Sequence, residues 1–127
     1  DYGVYFTVSK VFRFTGTGEI DFGGGEYRES EKEEIKPVKR KSEDKYGWWE
    51  LARGEYLIEF NEKLQEFFPD AKLVILQPSE KITLNGAFHA TKVIETKGQI
   101  KVTLYVGKNG INIKENARVS KLIALED

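Results

Sequence analysis

Ile100, Val102, Leu104 and Val106 alternate with Lys101, Thr103 and Tyr105, and Lys108-Asn109-Gly110 follows almost at once. A period of two puts the apolar set on one face of a pleated strand and the polar set on the other. Asn-Gly supplies the positive φ angles of a tight hairpin turn, so Ile111 and Ile113 are expected to return as the partner strand. Asn85-Gly86 marks an earlier turn of the same kind. Between the turns, Phe88-His89-Ala90-Thr91-Lys92-Val93-Ile94 is β-branched and aromatic and reads as another short strand. From Pro78 to Leu125 the chain is thus a succession of strands and turns, and the expected fold class is all-β.

The first half carries different signals. Gly16, Gly18 and Gly23-Gly24-Gly25 have the look of a phosphate cradle, but no helical pattern follows them and no Gly-Lys-Ser/Thr closes the loop. Hairpin turns between Val11–Phe14 and Ile20–Phe22 are the better reading. Trp48 and Trp49 are adjacent. On a strand they face opposite ways, so at most one faces a given site and the other packs in a core or a subunit interface. Asn61 to Phe68 has a cap-type residue and helical apolar spacing, which allows one or two turns of helix ended by Pro69.

At 127 residues the chain fits one domain, 1–127, that buries enough surface for a core without staples. Lys and Arg number 20 against 21 Asp and Glu, with no face-long basic stripe, so nucleic acid is not an expected partner. The absence of cysteine excludes disulfides and thiol catalysis, and one histidine with no cysteine does not make a conventional zinc site. No apolar run has the length of a membrane span and nothing at the start resembles a signal sequence, so no membrane partner and a cytoplasmic location are expected. Abundant Lys and Glu with neither Cys nor Met is a thermophile-like composition. From Arg28 to Lys45 most residues are charged, acidic through Glu29, Glu31, Glu33 and Glu34, then basic through Lys36, Lys39, Arg40 and Lys41. Such a stretch buries little and is expected to be a mobile, solvated loop or arm. The sharper alternative has its basic half reaching into a neighbouring subunit's site.

Asn85-Gly86-Ala87-Phe88-His89-Ala90-Thr91, Val93-Ile94-Glu95, Lys97-Gly98-Gln99-Ile100 and Asn116-Ala117-Arg118-Val119 with Leu122 resemble, in order and spacing, the core of the dUTPase and dCTP deaminase superfamily. Gly3-Val4-Tyr5-Phe6-Thr7-Val8 resembles its first motif. Trp48-Trp49-Glu50-Leu51 with Gly54-Glu55-Tyr56-Leu57-Ile58-Glu59 is similar to the strand pair before its second motif, as in archaeal dUTPase-like members. The chain opens on Asp1 without a methionine, as a processed chain or a piece of a longer one does, so further family residues are to be looked for upstream.

The resemblance implies a β-clip fold, a distorted barrel of short strands, in a homotrimer with nucleotide sites where subunits meet. It implies Mg²⁺-dependent hydrolysis of dUTP to dUMP and pyrophosphate, or deamination of dCTP. Several of the family's chemical residues are replaced. Tyr5 stands where the first motif has Asp. Pro78-Ser79-Glu80-Lys81-Ile82-Thr83-Leu84 stands where the second has Pro-Arg-Ser-Ser and often another Arg. Neither Ser79 nor Leu84 offers the planar fork of donors that arginine gives to phosphate, and Glu80 repels it. Thr96-Lys97-Gly98 skips the Gly-aromatic pair that closes on the sugar. By the resemblance Glu95 is the catalytic base, and Asn85, Gly86, His89, Arg118 and Lys121 contact the nucleotide, with Lys121 in place of the usual Gln. His89 reads otherwise as a satisfied structural histidine. Asn61 to Pro69 would be extended in the family. The function expected is deoxynucleotide metabolism with impaired catalysis, or a non-catalytic nucleotide-binding or structural trimer.

Overall fold

In the computed structural model, which describes residues 4–63, 73–94 and 99–125, the chain is all-β as expected. The strands are β1 (Val4–Phe14), β2 (Lys32–Ile35), β3 (Trp48–Leu51), β4 (Gly54–Phe60), β5 (Leu73–Pro78), β6 (Ala87–Phe88), β7 (Lys92–Ile94), β8 (Lys101–Val106), β9 (Ile111–Lys114) and β10 (Arg118–Leu125). One helical turn, Glu80–Thr83, links β5 to β6. Eight strands form an antiparallel sheet in the order β6-β8-β4-β1-β10-β5-β7, with β2 beside β1, and it curls into a half-barrel. β3 and β9 form a second, two-stranded sheet. No helix of the described residues is long and apolar enough to cross a membrane.

β1 is the spine of the larger sheet. Its first half pairs with β10, with Tyr5 opposite Lys121 and Phe6 opposite Ser120, and its second half pairs with β4, with Val11 opposite Ile58. Phe6 and Val8 are buried at a spacing of two, but the next buried residue is Val11. The register shift between Val8 and Lys10 supplies the extra residue that re-phases the strand. Both halves thereby turn their apolar side chains to one core. In that core the Phe6 and Phe60 rings meet edge to face at 5.4 Å, with Ile58, Leu76, Leu104 and Leu122 fully buried nearby.

β8 keeps the expected alternation, with Val102, Leu104 and Val106 buried and Lys101 and Tyr105 exposed. The turn after it is also present, closed by the Gly110 N–H donating to Gly107 O at 3.0 Å, with Gly110 at φ +71°. The return strand goes elsewhere. β9 pairs with β3, setting Ile113 opposite Trp49 and Ile111 opposite Leu51, because both edges of β8 are already taken by β4 and β6. A Cβ on Gly110 would stand 2.7 Å from Leu51 O, so the turn lies tight against the end of β3. The expected strand over Phe88–Ile94 is likewise divided. β6 joins β8 at one end of the sheet and β7 joins β5 at the other, with His89, Ala90 and Thr91 crossing between.

The charged stretch from Arg28 to Lys45 is mostly exposed, but it is not structureless. Lys32 to Ile35 pairs with Phe14 to Val11, the Trp49 indole N–H donates to Ile35 O at 2.7 Å, and Val38 and Trp48 exchange backbone hydrogen bonds of 2.9 and 2.8 Å. The physical reason lies in β1, whose second half offers unpaired N–H and C=O groups on its outer edge; a charged strand both satisfies and shields such an edge. The glycine-rich segment makes the expected excursion, though Ile20–Phe22 does not return beside β1. It lies at an outer tip beyond the Glu19–Arg28 bridge, where the Asp21 carboxylate accepts the Glu26 N–H at 2.9 Å. The expected helix from Asn61 falls mainly on residues outside those described. Asn61 itself joins elements, donating to Thr7 Oγ1 at 2.9 Å and to Asn116 Oδ1 at 2.8 Å.

Candidate functional site

The surface where β1, β10 and β5 run side by side, roofed by the Glu80–Thr83 turn, gathers two of the candidate residues, Arg118 and Lys121. Register puts Tyr5 opposite Lys121 and Lys121 opposite Gln77, a row across three strands. β5 ends at Pro78, and the Ser79 N–H donates to Val119 O at 2.9 Å while its hydroxyl donates to Arg118 O at 3.3 Å. Those two bonds pin the helical turn over the start of β10. Tyr5, Ser79, Glu80, Thr91 and Lys121 line a pocket of about 420 Å³. Tyr5, Ser79 and Glu80 also belong to an adjoining pocket of about 370 Å³, which adds Lys81, Leu84 and Arg118. The two make one groove around the Tyr5 ring. The Arg118 guanidinium lies over that ring, 5.5 Å from its centroid, a cation–π contact that fixes the charge at the groove.

Asn85 and Gly86 end the helical turn. The Asn85 amide donates to Lys81 O at 2.7 Å, and Gly86, at φ +81°, closes the turn through its N–H to Thr83 O. Asn85, Lys81 and Arg118 also line an open cleft of about 800 Å³ on the other side of the turn, shared with Asn109, Asn112 and Asn116. Arg118 therefore stands on the ridge between cleft and groove, and Asn85 reaches the cleft side alone.

His89 stands apart from the groove, on a pocket of about 320 Å³ that it lines with Thr91, Lys92, Lys101 and Tyr105. It is 2% exposed, its Nε2 lies 2.7 Å from Ser120 Oγ and its Nδ1 lies 2.9 Å from Ala90 O. A carbonyl only accepts, so Nδ1 carries the proton and donates it, and Nε2 accepts from the Ser120 hydroxyl. Ser120 is fully buried between Val119 and Lys121, so the neutral imidazole anchors β10 from the core side of the site. Burial pushes the His89 pKa below its ordinary 6.5, with the Ala90 hydrogen bond acting weakly the other way. The unfolded chain then binds the proton more readily, so stability is full above pH 6.5 and is lost as pH falls through the folded pKa. Thermal unfolding followed from about pH 8 to about pH 5 is expected to show this slope. A His89→Gln variant loses the slope and starts from a baseline roughly 1–3 kcal/mol lower, because Ser120 and Ala90 lose their partner.

The structure thus brings Arg118 and Lys121 together at one groove, places Asn85 on the separate cleft with Gly86 next to it in the turn, and sets His89 apart from the groove. Glu95 lies outside the described residues. Tyr5, Gln77 and Thr91 were not singled out as site residues; for Tyr5 and Gln77 the strand partner, which a period does not reveal, decides the matter. Among the described residues no group of three or more acidic, histidine or cysteine side chains could hold a metal on its own. Glu80 is the carboxylate that the described lining of the groove contributes. Mg²⁺ in nucleotide sites is commonly held by one or two carboxylates together with the phosphates, and Glu80 is one carboxylate of that kind. No protein-family model matches the chain, and no curated protein matches it.

Proposed function

We propose that this chain is a relative of the dUTPase and dCTP deaminase superfamily that assembles as a β-clip homotrimer, binds a deoxynucleoside triphosphate and turns it over slowly. The observation that carries the reading is the groove around Tyr5, where Arg118 and Lys121 present two positive charges beside the Ser79–Lys81 backbone. That is the place where the resemblance locates phosphate contacts. Combined, the adjoining pockets have the size of a small-ligand site. A subunit boundary at the groove is supported by Leu84, which lines it and is 76% exposed, and by exposed Val93 on β7, the strand beside β5. Covering exposed apolar surface is what a partner subunit does. In this reading Glu95 is the general base and Glu80 meets the phosphates through Mg²⁺, which would spread the triphosphate's charge and polarise its phosphorus. One observation favours a trimer without nucleotide: the Ser79 hydroxyl, at the position of a family arginine, turns inward to Arg118 O.

Calorimetric titration of dUTP, dCTP, dUMP and pyrophosphate, with and without Mg²⁺, separates these readings, alongside light scattering for the assembly. Expected are a trimer, triphosphate binding weakened about tenfold or more by Arg118→Ala, and tighter Mg²⁺-free binding in Glu80→Gln. A stable monomer, or no heat with any nucleotide, overturns the reading; a trimer that binds none leaves the scaffold alternative.

A further inference from the structure

We propose that the outward face of the small β3–β9 sheet binds single-stranded nucleic acid, with the Trp48 ring and the Arg40 guanidinium stacked on it as one platform and the N–H donors of Arg40 and Lys114 as its phosphate contacts. The inference is independent of the nucleotide groove. It also departs from the expectation drawn from net charge, because Lys114 lies far from Arg40 in sequence and only the fold brings the two to one ring.

Register creates the face. Trp48 exchanges backbone hydrogen bonds with Val38 on one side and stands opposite Lys114 on the other. Residues directly opposed across antiparallel strands share a face. Trp49 and Ile113, the next pair, are buried, so Val38, Trp48 and Lys114 form an outward row, with Val38 69% exposed. The Arg40 guanidinium carbon is 3.7 Å from the centroid of the Trp48 ring, and Lys114 Nζ is 5.7 Å from it. At 3.7 Å the guanidinium lies over the ring, and a stacked guanidinium keeps its in-plane N–H donors available for phosphate oxygens. Close by in the chain, Lys45 Nζ lies 5.3 Å from the centroid of Tyr46, a ring that is 37% exposed.

Lys39, Arg40, Lys41, Lys45 and Lys114 stand against Glu43, Asp44, Glu50 and Glu115, a small excess of positive charge, so the affinity for a polyanion rests on the two cations placed at the Trp48 ring. Lys39 and Lys41 flank Arg40, and among the described residues no carboxylate pairs with Lys39, Arg40, Lys41, Lys45 or Lys114. The acids of the same loops are turned to other donors. Asp44 accepts the Lys41 N–H at 3.1 Å, Glu115 accepts the Gly47 N–H at 2.8 Å, and Glu43 accepts the Ser42 hydroxyl at 3.3 Å. Glu50 lies one pair further along the face, opposite Asn112. Cations interleaved with aromatic rings on a flat sheet suit unpaired bases, which stack, and the phosphate chain that joins them. A duplex is less suited, since among the described residues the one helical turn, Glu80–Thr83, belongs to the other sheet and offers no recognition helix at this face. A lipid surface is less suited too, since Val38 is the one aliphatic side chain of the row.

The test is fluorescence anisotropy of a labelled oligothymidylate of about twelve nucleotides, a length within the site sizes of single-strand binders. Binding is expected, and with the two cations at the Trp48 ring engaged it should weaken roughly sevenfold between about 50 and 200 mM salt. Arg40→Ala combined with Lys114→Ala should lower affinity at least tenfold at low salt; Trp48→Leu should lower it, whereas Trp48→Phe, which keeps a ring, should retain most of it. Circular dichroism melts of the variants establish that each is folded, and Arg40→Ala alone, at an exposed position, serves if the others are not. Oligonucleotide binding that ignores Arg40 and Lys114, or that dUTP competes away, overturns the proposal. So does equal competition by inorganic polyphosphate or a duplex of the same length, or preferential capture by vesicles of anionic lipid.

Discussion

Replacing Trp49 by alanine is expected to lower the free energy of unfolding by about 3–5 kcal/mol, the range for removing a large aromatic side chain from a packed core. Trp49 is 2% exposed, and its indole N–H holds the Ile35 carbonyl at 2.7 Å. The substitution therefore opens a cavity between the two sheets and releases the tie that fastens β2. Trp48→Ala removes a half-exposed ring and is expected to cost only about 1 kcal/mol, the ordinary size for such a change. Urea titrations at equal protein concentration check the pair, with the midpoint falling and the slope unchanged. Equal losses at the two positions would mean that the faces of β3 are not as described.

Those adjacent tryptophans also show what was legible in the sequence. That one packs and the other faces out follows from strand geometry alone, and the alternation over Ile100–Val106 reads directly as β8. Strand partners were not legible, because a period of two says which side chains are buried and nothing about which neighbour supplies the hydrogen bonds. Hence Ile111 and Ile113, expected to return along β8, lie against Trp49 and Leu51 instead. The strand β2 was hidden for the opposite reason: its charges carry no apolar pattern, and only the open edge of β1 calls for it. The helical turn at Glu80–Thr83 is four residues long, too short to show a helical period. Arg118 and Lys121, which line the groove, were singled out through the order of motifs, whereas Tyr5 beneath Arg118 depended on the pairing of β1 with β10.

If the proposed kinship with the dUTPase and dCTP deaminase superfamily holds, turnover of dUTP and dCTP is expected to fall at least about a hundredfold below that of an ordinary dUTPase, since each lost donor to a developing phosphate charge commonly costs a hundredfold or more. The two replaced positions are not equivalent. Ser79 is 6% exposed and bonded to the backbone of Arg118, so an arginine there has to displace packed structure. Leu84 is 76% exposed and lines the groove, so Leu84→Arg adds a donor at little structural cost. It is expected to raise dUTP turnover about tenfold or more with an unchanged melting temperature. Glu95→Gln should abolish whatever hydrolysis remains while leaving the assembly intact, because an amide cannot take a proton from water. Turnover indifferent to both substitutions would place the chemistry elsewhere. Turnover that collapses instead on deletion of Lys39 to Lys41, with Glu95→Gln still inactive, would make those basic residues of a neighbouring subunit the substitute for the arginines missing at Ser79 and Leu84.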